Sequence, residues 1–438
     1  MIPAPEAEPR VKWGRYGRRP LVVLCLVGLV DAFDRGVLPA VIEAVQRDLH
    51  VNDSQAGLLN SALIVAALLL AVPGGRLADR TDRRIVISVV LAVWSATTVL
   101  AAASQRFWQL FASRALLGAG DAVNDPAVQS LVSDYYPVEV RGRAYAYQRV
   151  VPTVGLGIGT ALGGLIFHLA GWRVAVLAVG LPGVLVALLV RKLPLPARGD
   201  SDEHLSPVST SVAPMTTWQG VKAAMQVPSL RVLLGASAFI TGILTALGFW
   251  GIAYHVRASG MSESAAPGIA GGVILLGAIA GGIGGGVVTD RVRGKVPGAL
   301  MLLTAAVTAS GTVLLFISFL DGLPVYAVRL PLQLAGVALI VASLPPITCI
   351  AAEVVPAELR GTSFGLLKLG ANVLSAVTPP LIGLIADTHR ITIHTGEVKG
   401  DLGFAFRCTM GLILIGSALL LLGTRHLDRD TARALDPV

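Results

Sequence analysis

Twelve apolar runs dominate this chain, each long enough to cross a lipid bilayer as a helix. A spanning helix needs about 20 consecutive apolar residues. Such runs lie at about 20–46, 55–78, 85–104, 107–133, 144–169, 172–191, 229–254, 266–289, 297–320, 324–351, 361–386 and 403–424. Apolar types make up 54% of the 438 residues and charged types 14%, against about 25% charged in an ordinary soluble domain. A globule of this composition cannot cover its own surface in water, so a soluble enzyme is excluded, as are a disordered chain and a disulfide-rich secreted scaffold. A β-barrel is disfavoured, because its spans alternate apolar and polar residues. The reading is an all-α integral membrane protein. Cys25, Cys349 and Cys408 each sit in or beside an apolar run and read as small packing side chains. The histidines are scattered, so neither a metal site nor a cofactor is expected.

Most connections between runs are short. The exception is 192–228, rich in proline, serine and charge. It divides the chain into an N-terminal six-span bundle at 1–191, a linker at 192–228 and a C-terminal six-span bundle at 229–438. Within the linker, Met215–Val227 can form a short amphipathic helix on the membrane face. The segment 387–402 has a strand-like start and turn signals and is expected to form a small external hairpin.

Lysine and arginine set the orientation. With the N-terminus in the cytoplasm, about 22 of the 35 fall in cytoplasmic segments, about six outside and about seven at membrane depth. Both termini are therefore expected in the cytoplasm, in a cell (inner or plasma) membrane. The same asymmetry accounts for the net charge of +8 without nucleic acid. The basic start followed by an apolar run resembles a signal peptide. The run continues past Asp31 and Asp34 without a clear cleavage site, so it reads as an uncleaved first span.

The halves repeat. Span 2 ends in GGRLADRTDRR and span 8 in GGGVVTDRVRGK, which aligns Gly75, Asp79 and Arg80 with Gly286, Asp290 and Arg291. DYYPVEVRG after span 4 matches EVVPAELRG after span 10. A parallel duplication of this kind relates two halves by an axis along the membrane normal. In the first turn, Gly75 is expected to let two helices approach. Asp79 can sit against a helix N-terminus or an arginine, and Arg80, Arg83 and Arg84 anchor the cytoplasmic face. With Asp290 and Arg291 they form a candidate cytoplasmic gate.

Charges inside spans carry the chemistry, because each costs about 2.5–3.5 kcal/mol to insert. Span 1 holds Asp31, Asp34 and Arg35, and Asp31 and Arg35 are one turn apart and can pair. Span 4 holds Arg114, Asp121 and Asp125 on one helix face, with Gly118 on that face and Asn124 beside it. Four carboxylates face two arginines, and Arg149 in span 5 brings the balance closer to zero. A buried cluster with excess negative charge tends to retain a proton. Asp34 and Asp121 are therefore candidate protonation sites, with Arg35 and Arg114 as partners. Static ion pairs bracing the bundle are the alternative. The duplicated positions opposite Asp121 and Asp125 are Ile340 and Leu344, so proton chemistry belongs to the first half. The second half offers an apolar wall with Lys368, Asn372 and Trp250. Asp31, Asn124, Asp125, Arg149, Trp250, Lys368 and Asn372 are the candidate cavity residues. The glycine-rich stretches 155–164 and 271–286 lack GK[ST] and follow no strand, so they read as helix packing. Pro152, Pro345, Pro346, Pro379 and Pro380 should kink or break their spans.

The GGRLADRTDRR turn and its second-half echo resemble the major facilitator superfamily over nearly the whole chain, with Asp82 where that family usually has glycine. Four features are similar to its Spinster branch: Asp34-Arg35, RALLGAGDA in span 4, the segment from Thr241 to Trp250, and PPLIGLIAD ending span 11. Asp121 stands where Spinster proteins usually have glutamate, one methylene longer. The resemblance implies a major facilitator fold, twelve transmembrane helices in two pseudo-symmetric six-helix bundles, working by alternating access. It further implies proton coupling at Asp34, Arg35, Arg114 and Asp121, and amphiphilic substrates such as lysophospholipids. The expected protein is a proton-coupled transporter, powered by the proton gradient, with an amphiphilic or lipid substrate, membrane lipids around it and a monomeric state. A proton-coupled exporter of drugs or small polar metabolites and a non-transporting membrane sensor are the alternatives.

Overall fold

In the computed structural model, residues 13–196, 217–292, 298–356, 359–394 and 396–435 are described. The first six spans are α1 (Arg19–Leu49), α2 (Asp53–Arg80), α3 (Arg83–Ala102), α4 (Phe107–Tyr135), α5 (Val138–Ala170) and a sixth broken into α6 (Trp172–Gly180) and α7 (Pro182–Arg191). The linker helix is α8 (Thr217–Met225). The second six are α9 (Pro228–Ser259), α10 (Ala266–Val292), α11 (Ala299–Ser318), a tenth in pieces, α14 (Arg360–Thr388) and α15 (Leu402–Leu435). The tenth span consists of a π-helical turn (Val325–Arg329), α12 (Leu330–Ala342) and α13 (Leu344–Glu353). Strands β1 (Arg390–Thr392) and β2 (Val398–Gly400) pair antiparallel as the expected hairpin between α14 and α15. The side on which α1 begins and α15 ends is the termini face, and the opposite side is the far face.

Among the described residues, ten of the twelve spans are apolar enough by composition alone to cross a membrane. The two that fall short are α1 and α4, whose apolar runs are diluted by the ionisable and polar residues singled out above. Those helices need a protein interior around their charges.

Packing follows the duplication. In the first half α1 lies on α5, α2 on α4, and α3 on α4. In the second half α9 lies on α14, α10 on α12, and α11 on α12. The halves meet through α2 against α14, α5 against α10, and α1 against α9. Small residues permit these contacts. A Cβ on Gly118 would stand 1.9 Å from the Leu63 carbonyl oxygen of α2, so at Gly118 the backbone of α2 itself makes the close approach. A Cβ on Gly57 of α2 would lie 2.5 Å from Pro380 of α14.

Proline acts in two ways. The tenth span breaks at Ser343, with Pro345 and Pro346 in the first turn of α13. Pro152, Pro379 and Pro380 instead lie within continuous α5 and α14. Pro380 has no N–H to offer the carbonyl of Ala376, and Ser61 of α2 donates its hydroxyl to that oxygen. The Trp250 indole of α9 donates to the carbonyl of Pro379 at 2.9 Å. The proline pair thereby ties α14 to a neighbour from each half.

Asp82 caps α3, accepting from the Arg84 backbone N–H at 2.9 Å while pairing with the Arg84 guanidinium at 2.8 Å. The hydrogen bond from the Arg84 side chain holds this carboxyl below the usual carboxylate range. The departure from glycine thus supplies an N-cap.

Candidate functional site

At mid-depth, α1 and α4 exchange charges in both directions. Arg35 of α1 donates through Nε to Asp31 at 2.9 Å and through Nη2 to Asp121 of α4. Arg114 of α4 donates through Nη1 to Asp34 of α1 at 2.7 Å. Asp34, Arg114 and Asp121 are buried, while Arg35 is partly open. All four candidate proton-coupling residues are therefore brought together, and Asp31 joins them. Asp125, one turn past Asp121, lies exposed and meets the exposed Lys368 of α14 at 3.3 Å.

Beside this cluster lies a cavity of about 450 Å³, within the usual range for small-molecule sites. Its polar lining includes Arg35, Arg114, Asn60, Asn372, Thr245 and Ser375. Its apolar lining includes Leu244, Phe249 and Ile252 of α9 and Ile274, Leu275 and Ala278 of α10. One wall thus carries two guanidiniums and the other is largely hydrocarbon. Asn60 was not anticipated: unlike Asn124, which stands beside the charged face of α4, it has no ionisable residue near it in its run.

The other anticipated cavity residues are placed differently. Asn372 lines the cavity. Trp250 is fully buried against α14 and does not line it, because its one polar atom is spent on Pro379. Asn124 is buried within the first half, and Asp31, Asp125 and Lys368 lie outside the lining. The side chains of Arg149, Asp79 and Arg80 fall outside the described residues.

On the termini face, Arg83 is buried and donates to Ser130 at 2.6 Å and to Asp134, both on α4. Arg84 reaches Asp82 and the carbonyl of Leu193 at 2.6 Å. These contacts stay within the first half and the start of the linker, and none of them reaches the second half. The expected close approach at Gly75 is made one residue earlier: a Cβ on Gly74 would stand 2.6 Å from the Ala122 carbonyl oxygen, whereas nothing lies within 4 Å of one on Gly75. Asp290 and Arg291 are exposed.

The far face holds a second cluster that joins the halves, and sequence reasoning missed it. Arg257 of α9 donates to Glu43 at 2.6 Å, to Gln46 at 2.9 Å, to both oxygens of Asp53 at 2.7 and 2.8 Å, and to the carbonyl of Gly400 at 3.0 Å. Lys399 of β2 lies 3.8 Å from Glu43. Asp387, at the end of α14, accepts from the backbone N–H groups of Asp53 and Ser54 at 3.2 and 3.0 Å. Its carboxylate sits at the positive N-terminus of α2. Two cations, Arg257 and Lys399, pair with Glu43 and Asp53, and the third acid, Asp387, is held by backbone N–H groups. The overlooked signal was Glu43, an acid inside the first apolar run.

With this geometry in place, the family can be stated. The chain matches the model of the Major Facilitator Superfamily over residues 24–379, and it belongs to that family of membrane transporters. Its similarity within the family is to Spinster proteins. It is 27% identical to protein spinster homolog 3 of Mus musculus, over 99% of this chain and 87% of that one. It is 26% identical to protein spinster homolog 1 of Xenopus tropicalis, over 96% of this chain and 83% of that one. Its fold matches the crystal structure of a bacterial homolog of the human lysosomal transporter Spinster, in an inward-facing and unoccupied conformation. That match has a TM-score of 0.82 and 21% identity, over 95% of this chain and 98% of that one. The chain is accordingly a membrane transporter of the major facilitator superfamily, with its twelve-helix architecture and a similarity to Spinster proteins, and not an enzyme.

Proposed function

We propose that this chain is a proton-coupled secondary transporter that moves an amphiphilic substrate, by similarity to Spinster proteins a lysophospholipid, by alternating access. The observation that carries the reading is the position of Arg35. Its guanidinium lines the cavity and pairs with Asp31 and Asp121. A substrate in the cavity and the ionised Asp121 carboxylate therefore compete for the same cation, and a proton on Asp121 decides between them.

Protonation of Asp121 weakens its pair with Arg35 and leaves that guanidinium for an acceptor-bearing head group. Loss of the proton restores the pair and favours release. Asp34 and Arg114 repeat the relation one step deeper. The apolar wall of α9 and α10 suits an acyl chain. The positive-inside rule places the termini face in the cytoplasm. The far-face cluster around Arg257 then seals the outside, and rocking of residues 1–191 against 229–438 exposes the cavity to each side in turn. The turn carrying Gly75, Asp79, Arg80, Arg83 and Arg84, with Asp290 and Arg291 opposite, closes the cytoplasmic side in the other state.

The test is flux of a fluorescent lysophosphatidylethanolamine through proteoliposomes under a pH gradient. Movement that follows the gradient is the expected result. Binding without movement would point to a sensor. Movement of cationic dyes or polar metabolites, with no binding of lysolipid, would overturn the substrate reading.

A further inference from the structure

Buried polar atoms in native proteins nearly always have hydrogen-bond partners. Among the described residues, two buried acceptors without a donor lie one turn apart on α4: Asp121 Oδ1 and Asn124 Oδ1. Both residues are deeply buried, at 7% and 5% exposure. Residues three apart on a helix have Cβ atoms about 5–6 Å apart on adjoining parts of the surface, so short side chains can meet there. Two bare acceptors brought together at that spacing would repel. One proton placed between them turns the repulsion into a hydrogen bond.

We infer that Asn124 positions the coupling proton: when Asp121 is protonated at Oδ1, its hydroxyl donates to the Asn124 side-chain oxygen. The proton comes from water on the open side and returns to water on the other. No other bond is made or broken. The second carboxyl oxygen, Oδ2, stays directed at Arg35. The charged groups facing Asp121 are Arg35, Asp31 and Asp34 from α1 and Asp125 from its own helix. From α3, the Trp94 indole donates to the carbonyl of Leu117 at 3.1 Å and so is committed elsewhere. From α2, Gly74 packs on Ala122 and supplies no donor side chain. The side chain of Arg149 on α5 is not among the described residues. Asn124 therefore gives the neutral acid a partner that the surrounding ions do not give. It also suits the short arm of aspartate, which cannot reach as far as glutamate for an acceptor.

The inference rests on proton coupling at Asp121, and the experiment separates the two. Transport by the full chain in proteoliposomes is measured across pH for wild type, Asp121→Asn, Asn124→Leu and Asn124→Gln. Leucine has similar bulk and no acceptor, and glutamine keeps the amide on a longer arm. The midpoint of the wild-type profile should move about one pH unit towards acid in Asn124→Leu, the size expected for one hydrogen bond. It should return towards wild type in Asn124→Gln, with substrate affinity at saturating proton unchanged. An unmoved midpoint in an active Asn124→Leu protein overturns the inference. An alkaline movement does so too, because it would mean that the amide donates to the ionised form. If Asn124→Leu fails to fold, Asn124→Ala, which also lacks the acceptor, decides in its place: an acid displacement of the midpoint supports the role, and coincidence with wild type contradicts it. If Asp121→Asn keeps its pH dependence, the coupling assignment itself has failed.

Discussion

Arg257 and Asp53 form a two-point ion pair between the halves of the molecule, Nη2 to Oδ1 at 2.7 Å and Nη1 to Oδ2 at 2.8 Å, with exposures of 2% and 3%. Bidentate geometry makes such a pair directional as well as strong. It closes the far face only while α9 stays against α1 and α2. Arg257→Gln leaves Asp53 without its cation and Glu43 with Lys399 alone, and breaking a buried pair of this kind typically costs about 3–5 kcal/mol. That cost falls on the closed state, so the population should move towards the far-face-open state. A single cysteine at Ser61, facing α14 across the seam, should become more reactive to a water-soluble maleimide in the variant than in the otherwise wild-type protein. Unchanged labelling would show that the cluster is no latch.

The buried pair of Asp34 and Arg114 supports the fold whether or not it moves protons. Asp34→Asn and Arg114→Gln should each lower stability by about 3–5 kcal/mol, since each strands the other's charge. The double variant should recover much of that loss. Thermal unfolding of the four proteins in detergent gives the coupling directly, and additive losses would refute it.

At Gly118 the limit is steric. Any side chain drives into the backbone of α2, because a Cβ there would stand 1.9 Å from the Leu63 carbonyl. Gly118→Ala should cost about 1–3 kcal/mol and Gly118→Val more, seen as lower yield and melting temperature. A neutral Gly118→Val would contradict the packing of α2 on α4.

Asp82 offers a pH test outside the membrane. Its folded value is depressed by Arg84, so its contribution is present at neutral pH and is lost as pH falls through that value. Asp82→Ala should cost about 1 kcal/mol at neutral pH. The gap between the melting curves should close in acid. A gap that widens in acid would rule out the cap.

How much was legible in the sequence follows from what each feature costs. The α1–α4 cluster was legible because charge in an apolar run is expensive, so Asp31, Asp34, Arg35, Arg114 and Asp121 stood out. The duplication was legible because two loops match in register. The far-face cluster was legible only through Glu43, an acid inside the first run, because Arg257 and Asp53 lie at the ends of runs, where charge is ordinary. Trp250 was assigned to the cavity on residue type alone. Its role depends on a carbonyl of Pro379, on a helix packed against its own but 129 residues away in sequence. Gly74 and Gly75 differ by one register position, which only the packing of α2 on α4 resolves. Asn60 and Asn124 are uncharged, and their significance lies in which atoms around them are satisfied.

The central claim is that proton binding at Asp121 drives substrate movement through Arg35. The most direct measurement is uphill accumulation of a lysolipid in proteoliposomes set beside its equilibrium exchange, for wild type and Asp121→Asn. The account predicts that wild type accumulates substrate against its gradient when a pH gradient is imposed. Asp121→Asn should exchange substrate at equilibrium and accumulate none. Accumulation by Asp121→Asn at the wild-type level would contradict it.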